Sequence, residues 1–287
     1  IKEFDDKHYI FMASALGTVK KTPLTDFSNP RKSGIIAINL DDNDFLIGAE
    51  ITDGSNDIVV VSNGGKAVWF DEEDVRSMGR NTRGVRGMKL QEDQQVLSLL
   101  IASDDQQSML VATENGYGKR TVLSDFRHSG RATQGVKAIQ VSERNGLVVA
   151  AKLVNDEDDL LLVSKMGYSV RCHADDATLR PMGRTAGGVI GIRFKSEDDY
   201  LLKMEVATPD SFVVTVTEGG WAKRTSIEEW NAKGRGTQGV RAMRLVEKRG
   251  GLAGALICAA DDEIFAIASN GVVIRTRVDE IRAAGRD

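Results

Sequence analysis

The sequence predicts an all-β protein, a propeller-like ring of six four-stranded antiparallel blades. Three observations carry this prediction. Two short motifs recur along the chain with one common period, each period contains four short strand patterns, and no window shows sustained helical periodicity. Short strands that repeat at a fixed interval of about 50 residues are typical of ring-shaped repeat proteins.

The first motif is a Gly-Arg turn that leads into a strand. Its two clearest copies begin at Gly130-Arg131 and Gly234-Arg235. In both, one residue separates the arginine from Thr-Gln-Gly, and an apolar pair, 138–139 or 242–243, follows two residues after that. Altered copies begin at Gly79, Gly183 and Gly285, and a worn copy begins at Pro30. Each copy places a basic residue in a turn, where glycine supplies the backbone freedom.

The second motif is a glycine that is followed, in its clearest copies, by two intervening residues and then Lys-Lys-Thr or Lys-Arg-Thr. Its leading glycines are Gly17, Gly65, Gly116, Gly167, Gly220 and Gly271, with spacings of 48, 51, 51, 53 and 51. Two independent motifs with one period favour a single ring domain, since stacked repeats share a continuous core. We therefore expect one domain over 1–287 with repeats of about 1–50, 51–101, 102–154, 155–207, 208–259 and 260–287. The last repeat is incomplete, or is completed by residues near Ile1.

Each repeat reads as four strands. The first is a continuous apolar run such as Ile58-Val59-Val60-Val61, which suits a strand buried on both faces. An Asn-Gly or similar turn leads to the second strand, which contains the Lys-Arg-Thr sequence of the second motif. The third strand follows the Gly-Arg turn, for example 136–141, and an acidic turn precedes the fourth, for example 147–154.

Composition excludes several function classes. The two cysteines lie in different repeats without metal spacing, which predicts neither a disulfide framework nor a metal site. The longest apolar run has nine residues, so no membrane span is expected. The three histidines are scattered, and no phosphate-binding loop or nucleophile motif is present. The chain therefore contains no recognisable catalytic residues and no expected cofactor.

The charge is distributed with the period of the repeat, although the net charge is only −4. The segments from each leading glycine through the third strand hold 29 basic and 13 acidic residues; the remainder holds 9 basic and 29 acidic residues. In a ring, a bias that recurs with the period forms a belt. A basic belt predicts a polyanion-binding site. The alternative is an ordinary solvated surface on which the sign of the charge differs from one type of turn to another.

Adjacent cations on the second strands are the strongest candidates within this belt. In the pairs Lys119-Arg120 and Lys223-Arg224, alternation along a strand should turn one member outward, so we expect these four as surface charges. Trp69, Trp221 and Trp230 are expected in the core. The full set of candidate polyanion-binding residues is Lys20, Lys21, Arg31, Lys32, Arg80, Arg83, Arg86, Lys119, Arg120, Arg131, Lys137, Arg171, Arg184, Lys223, Arg224, Lys233, Arg235, Arg241, Arg275 and Arg286.

Three segments resemble the C-terminal domain of the DNA gyrase A protein, in the type IIA DNA topoisomerase family. They are Asn115-Gly116-Tyr117-Gly118-Lys119-Arg120-Thr121, the stretch from Met78 to Gly87, and Asn270-Gly271-Val272-Val273-Ile274-Arg275-Thr276. The resemblance implies a β-pinwheel whose blades exchange strands, with double-stranded DNA wrapped round a basic perimeter. It also implies that the protein is located in the bacterial cytoplasm, in association with the nucleoid. The implied partners are an N-terminal DNA-cleaving half and the ATPase subunit of an ATP-dependent topoisomerase (an isomerase).

The family's wrapping heptapeptide, Gln-Arg-Arg-Gly-Gly-Lys-Gly, has no matching copy here. The nearest segments are 129–135 and 233–239, where glutamine stands in place of the lysine. We therefore expect DNA bending or wrapping that positions DNA for strand passage and supercoiling. A topoisomerase IV-like positioning domain and a propeller scaffold for an acidic protein are the alternatives.

Overall fold

The structure, a computed structural model, describes residues 3–287, and its regular elements are β-strands and short 3₁₀ turns. Its strands are β1 (Tyr9–Ser14), β2 (Thr18–Pro23), β3 (Leu46–Thr52), β4 (Asp57–Ser62), β5 (Lys66–Asp71), β6 (Val85–Arg86), β7 (Val96–Ala102), β8 (Ser108–Thr113), β9 (Tyr117–Val122), β10 (Val136–Lys137), β11 (Val148–Val154), β12 (Asp159–Ser164), β13 (Tyr168–His173), β14 (Val189–Ile190), β15 (Leu201–Ala207), β16 (Phe212–Thr217), β17 (Ala222–Ser226), β18 (Val240–Arg241), β19 (Leu252–Cys258), β20 (Glu263–Ile267) and β21 (Val273–Arg277). Single 3₁₀ turns cover Leu24–Phe27, Glu72–Asp74, Leu123–Asp125, Ile227–Glu229, Glu247–Arg249 and Val278–Glu280.

The strands form six antiparallel sheets, one for each repeat. The first four sheets have the orders β3-β1-β2-β6, β7-β4-β5-β10, β11-β8-β9-β14 and β15-β12-β13-β18. In each of these, three strands come from one repeat and the outermost strand comes from the next repeat. The strand exchange implied by the resemblance is therefore present, and each sheet is closed only by its successor in the chain.

In the first four repeats, the leading glycine is the acceptor for this exchange. The Gly17 carbonyl accepts hydrogen bonds from the backbone N–H groups of Gly87 (2.8 Å) and Met88 (3.1 Å) in the next repeat. Gly17 has a φ of +88°, and a Cβ at this position would lie 2.5 Å from the Met88 carbonyl oxygen. Only glycine fits this close backbone approach, which explains why the residue recurs with the repeat.

The two sequence motifs therefore contact each other across neighbouring sheets. The same carbonyl-to-third-strand contact recurs when Gly65 accepts from Ala138, Gly116 accepts from Gly191, and Gly167 accepts from Ala242, each at 2.8 Å. Both motifs keep one period because they are the two sides of one repeated contact.

Five apolar clusters lie between successive sheets. The cluster around Phe11 and Val19 of the first sheet continues through Ile58 and Val60 of the second. Equivalent clusters join the second sheet to the third, the third to the fourth and the fourth to the fifth. A smaller cluster joins the fifth sheet to the sixth through Val214, Cys258 and Val278. The core is thus shared between neighbours, as expected for stacked repeats.

The inner strands contact one another in chain order, from β3 through β7, β11 and β15 to β19. β3, β7, β11 and β15 line an open cavity of about 500 Å³, and Lys152 and Glu205 of the neighbouring strands β11 and β15 form an ion pair at 2.8 Å. Since the inner strand is at one edge of each sheet, the exchanged strand and the Gly-Arg turn before it lie at the opposite, peripheral edge.

The last two sheets are smaller. The fifth has the three strands β17-β16-β19, with a parallel bridge between Arg224 and Ala283 that corresponds to the Lys21–Ser77 bridge of the first sheet. The sixth is the hairpin β20-β21, whose apolar side chains remain open, with Ile267 72% exposed. Residues 3–8 form no strand on this hairpin, and the expected completion near Ile1 lies outside the described residues.

The predicted strand patterns are largely confirmed. The apolar runs correspond to β1, β4, β8, β12, β16 and β20, and the fourth-strand pattern at 147–154 corresponds to β11. The third strand is shorter than expected, since only Val136–Lys137 of 136–141 pairs as a strand. The next two N–H groups bond the Gly65 carbonyl instead, which ends the regular ladder.

We predict that Gly239→Ala destabilises the protein because Gly239 has a φ of +68° and a Cβ would lie 2.1 Å from the Ser169 carbonyl oxygen. Strain of this kind costs about 1–3 kcal/mol, and the clash adds to it. Urea unfolding followed by circular dichroism measures the change. The matched control is Gly234→Ala in the same turn, where a Cβ meets no atom within 4 Å; an equal loss in both variants would contradict the assigned role.

Candidate nucleic-acid interface

The Gly-Arg turns alternate between two ways of docking on the preceding sheet. Turns of the second, fourth and sixth repeats, which contain Arg80, Arg184 and Arg286, dock on a buried lysine. Turns of the third and fifth repeats, which contain Arg131 and Arg235, dock through their own arginine. The turns will be called lysine-backed and self-anchored, respectively.

In the lysine-backed turns, the ammonium donates to backbone carbonyls of the incoming turn. Lys119 Nζ donates to the carbonyls of Gly183 (2.9 Å) and Arg184 (2.6 Å). Lys223 Nζ donates to those of Gly285 (2.5 Å) and Arg286 (2.7 Å).

The equivalent lysine of the first repeat is also engaged in this way. Lys20 Nζ donates to the carbonyls of Arg80, Thr82 (3.2 Å) and Ala37 (2.8 Å). Three repeats thus place a lysine behind the turn that follows in the next repeat.

These contacts correct the expectation that Lys119, Arg120, Lys223 and Arg224 are surface charges. Lys119 and Arg120 are each 1% exposed and Lys223 is 7% exposed, while Arg224 is half-buried. Alternation does direct adjacent side chains to opposite faces, but both faces of a second strand are covered, one by each neighbouring sheet or turn. Alternation exposes every second side chain only when one face of a sheet is open to solvent, and these sheets are stacked on both faces.

The second cation of each pair is also used inside the protein. The Arg120 guanidinium contacts Asp156 and Asp176, and Arg224 Nε donates to the Ile281 carbonyl at 2.9 Å. Lys21 donates to the carbonyl of the buried Glu72 at 3.2 Å.

Arg171 is the corresponding residue of the fourth repeat. It donates to Asp159 (2.8 Å) and to the carbonyls of Ile227 and Trp230. Of the candidate residues, Lys20, Lys21, Lys119, Arg120, Arg171, Lys223 and Arg224 therefore hold neighbouring elements together.

In the self-anchored turns, the arginine side chain replaces the buried lysine. Arg131 donates from Nε to the Asp74 carbonyl (2.9 Å) and from Nη1 to the Arg86 carbonyl (3.3 Å). Arg235 repeats this fork on the carbonyls of Thr178 and Ile190, at 2.8 and 3.2 Å. The second-strand position that carries lysine elsewhere is Val68 or Val170 in front of these turns, and both valines are buried in the core.

The remaining candidates lie on the turns and exchanged strands. Arg31, Lys32, Arg83, Arg86, Lys137, Lys233, Arg235, Arg241 and Arg275 are exposed, and Arg80, Arg131, Arg184 and Arg286 are half-buried. Some of the exposed cations are paired: Arg83 with Asp41 at 2.8 Å, Arg241 with Asp287 at 3.3 Å, and Arg275 with Glu263. These pairs are exposed to solvent, so they hold the cations only weakly.

A groove separates the self-anchored turn of the fifth repeat from the lysine-backed turn of the sixth. It has a volume of about 230 Å³, and Arg171, Lys233, Gln238 and Arg286 are among its lining residues. The Arg286 Nε is buried without a hydrogen-bond partner among the described residues 3–287, and its guanidinium lies 6.0 Å from the Trp230 ring centre. Adjacent turns thus form a cationic recess at the periphery.

Sequence reasoning missed a further set of exposed cations. Lys89, Arg193 and Arg244 occupy the same repeat position, directly after the third strand's apolar pair, and all three are exposed. Arg193 Nε donates to the Gly236 carbonyl of the next turn at 2.9 Å. Their recurrence at one register position was the available signal.

The tryptophans are divided between the core and the surface. Trp69 and Trp230 are buried as expected, but Trp221 is 50% exposed. The Arg249 guanidinium packs over the Trp221 ring at 4.5 Å. The expectation that Trp221 belongs to the core is therefore wrong, because Trp221 directly precedes β17, an edge strand of the three-stranded fifth sheet.

One cluster in the described residues has metal-ligand chemistry. Ligand atoms of Asp57, Asp71 and His128 lie within 4.8 Å of one another, with Asp57 and Asp71 directly opposite on β4 and β5. Burial raises the pKa of the Asp57 carboxyl, and the His128 charge opposes this shift. The two cysteines are buried, and burial raises the pKa of the Cys172 thiol to about 12, so this thiol is protonated at neutral pH. The helices among residues 3–287 are single turns, none with the length and apolar character of a membrane span.

The fold and periphery define a class of protein: an all-β repeat ring with exchanged strands and cationic peripheral turns. A family described as the DNA gyrase C-terminal domain, beta-propeller, matches residues 8–53, 56–103, 107–155, 158–208, 211–259 and 262–287. The chain belongs to this DNA gyrase C-terminal domain family.

Individual relatives agree with this assignment. The chain is 44% identical over 209 residues to the DNA gyrase A protein of Salmonella typhimurium, covering 73% of this chain and 24% of the relative. It is 36% identical over 282 residues to the DNA gyrase A protein of Streptomyces coelicolor, covering 94% and 33%. The chain thus spans about a quarter to a third of these relatives.

Solved structures share the fold. The C-terminal domain of DNA topoisomerase IV superposes with a TM-score of 0.79 at 20% identity, covering 99% of this chain and 88% of that one. A DNA gyrase A C-terminal domain superposes with a TM-score of 0.73 at 20% identity, covering 98% and 92%. At this identity the superpositions show the fold, and the sequence relatives identify the gyrase A family.

We predict that Lys119→Met destabilises the folded chain, because two carbonyls of the incoming turn lose their buried donor. Such a loss costs about 1–3 kcal/mol, measurable by urea unfolding at pH 7. The control is Lys137→Met on an exchanged strand, which is exposed and bonds only Gln140, so its stability should change by less than about 0.5 kcal/mol.

A comparison of the wild-type chain with Lys119→Met also tests the ionisation of Lys119. Burial lowers the pKa of Lys119 to about 8, and the nearby Arg184 charge adds to the effect. An unfolded lysine titrates near about 10.4, so the folded state releases its proton first. The stability of the wild-type chain relative to Lys119→Met should rise from pH 8 to pH 10; a constant difference would show that the ammonium pKa is not lowered.

Proposed function

We propose that this chain binds duplex DNA along its peripheral Gly-Arg turns and bends it, as the non-catalytic C-terminal domain of a bacterial gyrase A protein. The observation that carries the proposal is the position of the turns. In the second to fifth repeats, the turn precedes the exchanged strand at the sheet edge opposite the inner strands, so successive turns follow one another along the periphery. Each of them contains an arginine.

The chemistry of the turns suits phosphodiesters and not bases. Arginine side chains and exposed lysines on short turns can reach phosphate oxygens, and phosphate contacts position a protein without reading sequence. No recognition helix is present among residues 3–287, where the only helices are 3₁₀ turns. Binding should therefore tolerate many DNA sequences.

The six sheets, with repeats of about 51 residues, would act as one ring domain in this role. By membership of the gyrase A family, the domain would position DNA for strand passage and supercoiling. The catalytic steps would belong to the N-terminal cleavage half of the gyrase A protein and to the separate ATPase subunit. The assembly would work in the bacterial cytoplasm on the nucleoid.

We predict salt-dependent binding to duplex DNA. Displaced counterions make log K fall with log salt with a slope of about −0.9 per neutralised phosphate. One or two phosphates at each turn give a slope on the order of −6 to −10. Fluorescence anisotropy of a labelled duplex across salt concentrations measures this slope.

Changing Arg83, Lys137 and Arg241 together to glutamine should make this slope shallower without unfolding the chain, because all three are exposed. The matched control is Lys248→Gln, an exposed lysine in the 3₁₀ turn Glu247–Arg249 before the inner strand β19, which should leave the slope unchanged. Equal effects of the two variants would place the site elsewhere. An absence of DNA binding at low salt would favour a scaffold for an acidic protein.

We also predict that bound DNA is bent. Turns that follow a curved periphery cannot all contact straight DNA, and bending 20–30 base pairs by 40–90° costs roughly 1–6 kcal/mol. Several turns must therefore act together. Energy transfer between dyes on the two ends of a short duplex should increase on binding.

Plasmid relaxation by a nicking-closing enzyme in the presence of the chain separates bending from wrapping. A change in linking number indicates a chiral wrap of the gyrase kind. Ends that approach without a change in linking number indicate a positioning domain of the topoisomerase IV kind. DNA ends that do not approach would overturn the bending proposal.

A further inference from the structure

We infer that the peripheral turns are of two strengths, and that the buried lysines Lys20, Lys119 and Lys223 position every second turn as the stronger phosphate site. This inference rests on the proposed DNA binding and adds to it which residues govern it. The lysines lie behind the turns and act through them, so they are positioning residues.

The first support is the charge balance behind the lysine-backed turns. Among residues 3–287, neither Lys119 nor Arg184 forms an ion pair with a carboxylate, and both Lys119 Nζ hydrogen bonds go to neutral carbonyls. An ammonium and a guanidinium therefore share one turn. Two like charges close together in a region of low polarity attract an anion strongly, and a phosphate at the turn would relieve their repulsion.

The second support is the state of the arginine side chains. Arg131 and Arg235 commit Nε and Nη1 to carbonyls of the neighbouring backbone. By contrast, no hydrogen bond of the Arg184 guanidinium occurs among residues 3–287. Arg80 donates once, from Nη1 to the Ile36 carbonyl at 3.0 Å. The buried lysine does the anchoring in these turns, so their arginines keep more donors for a ligand.

The third support is the regularity of the alternation. The self-anchored fork of Arg131 on Asp74 and Arg86 recurs as that of Arg235 on Thr178 and Ile190. The lysine contact is made in the first, third and fifth repeats, and the second and fourth have a buried valine in its place. The structural repeat of the periphery is therefore a pair of blades.

The groups facing each lysine differ in charge. Arg184 and Asp125 act on Lys119, and Arg80 and Asp26 act on Lys20. Asp287, Arg286 and Glu229 act on Lys223. Lys119 and Lys20 thus each face one arginine and one aspartate, whereas Lys223 faces two carboxylates. Burial lowers the pKa of Lys119 to about 8, so Lys119 is the best position for a test.

The first test compares arginines in the two kinds of turn. Arg184→Gln should reduce the slope of log K against log salt by about 0.9, and Arg131→Gln should reduce it by less than half as much. Both residues are half-buried, and urea unfolding confirms that each variant is folded at the assay temperature. An effect of Arg131→Gln equal to or larger than that of Arg184→Gln would overturn the alternation.

The second test measures how DNA affinity depends on pH. A lysine with a purely structural role would not make the affinity depend on pH. A phosphate beside the turn favours the ammonium, so binding should take up a proton near pH 8. Wild-type affinity should fall between pH 7 and pH 9 by up to about tenfold through Lys119. Lys119→Met should bind more weakly at pH 7, with a shallower pH profile.

Lys119→Arg serves as the conservative control, since a guanidinium keeps its charge over this range. Its affinity should fall less between pH 7 and pH 9 than that of the wild-type chain, because only Lys20 and Lys223 remain to titrate behind the other turns. If both Lys119 variants have the pH profile of the wild-type chain, the inference is wrong. If the wild-type chain does not bind DNA at low salt, the proposed function itself fails, so the two failures are distinct.

Discussion

The backbone contact between one repeat and the next is the constraint on which the rest of this structure depends. In the first four repeats, the carbonyl of the leading glycine accepts N–H groups from the third strand of the following repeat, as Gly17 does from Gly87 and Met88. A repeat has no complete sheet by itself, because its outermost strand comes from its successor. The apolar clusters between sheets and the position of every Gly-Arg turn follow from this contact.

Strand exchange also explains why cations occur inside an otherwise apolar region. An incoming turn brings carbonyl groups that cannot all pair within the sheet, and buried carbonyls require donors. Lys20, Lys119 and Lys223 supply them in alternate repeats, and Arg131 and Arg235 supply them in the others. The cations near the periphery therefore have two roles: some complete the fold, and those left over on the exposed edge are available to a polyanion.

This division limits what charge counting can establish. The basic residues recur with the repeat, but nine of the twenty candidates hold neighbouring elements together: seven cations of the second strands, and Arg131 and Arg235 of the self-anchored turns. The cations left at the periphery are the half-buried arginines Arg80, Arg184 and Arg286, the exposed cations of the exchanged strands, and Lys89, Arg193 and Arg244. Membership of the gyrase A family and the geometry of the turns support the same role, in which phosphates are contacted along a curved edge.

The sequence by itself determined the period, the strand class and the repeat of the basic turn. These properties are local, since an apolar run, an Asn-Gly turn and a glycine at positive φ depend on neighbouring residues. The sequence also indicated the family, through the segments around Gly116, Gly79 and Gly271. Only the tertiary structure decided which face each cation occupies. Lys119 and Arg120 look like an exposed pair on a strand, but sheets stacked on both sides cover them, and stacking joins residues some 60 positions apart, such as Lys119 and Gly183. The distinction between lysine-backed and self-anchored turns arises in the same way. It depends on what faces the turn in the preceding sheet, lysine or valine, because a buried carbonyl takes its donor from whichever side chain packs against it.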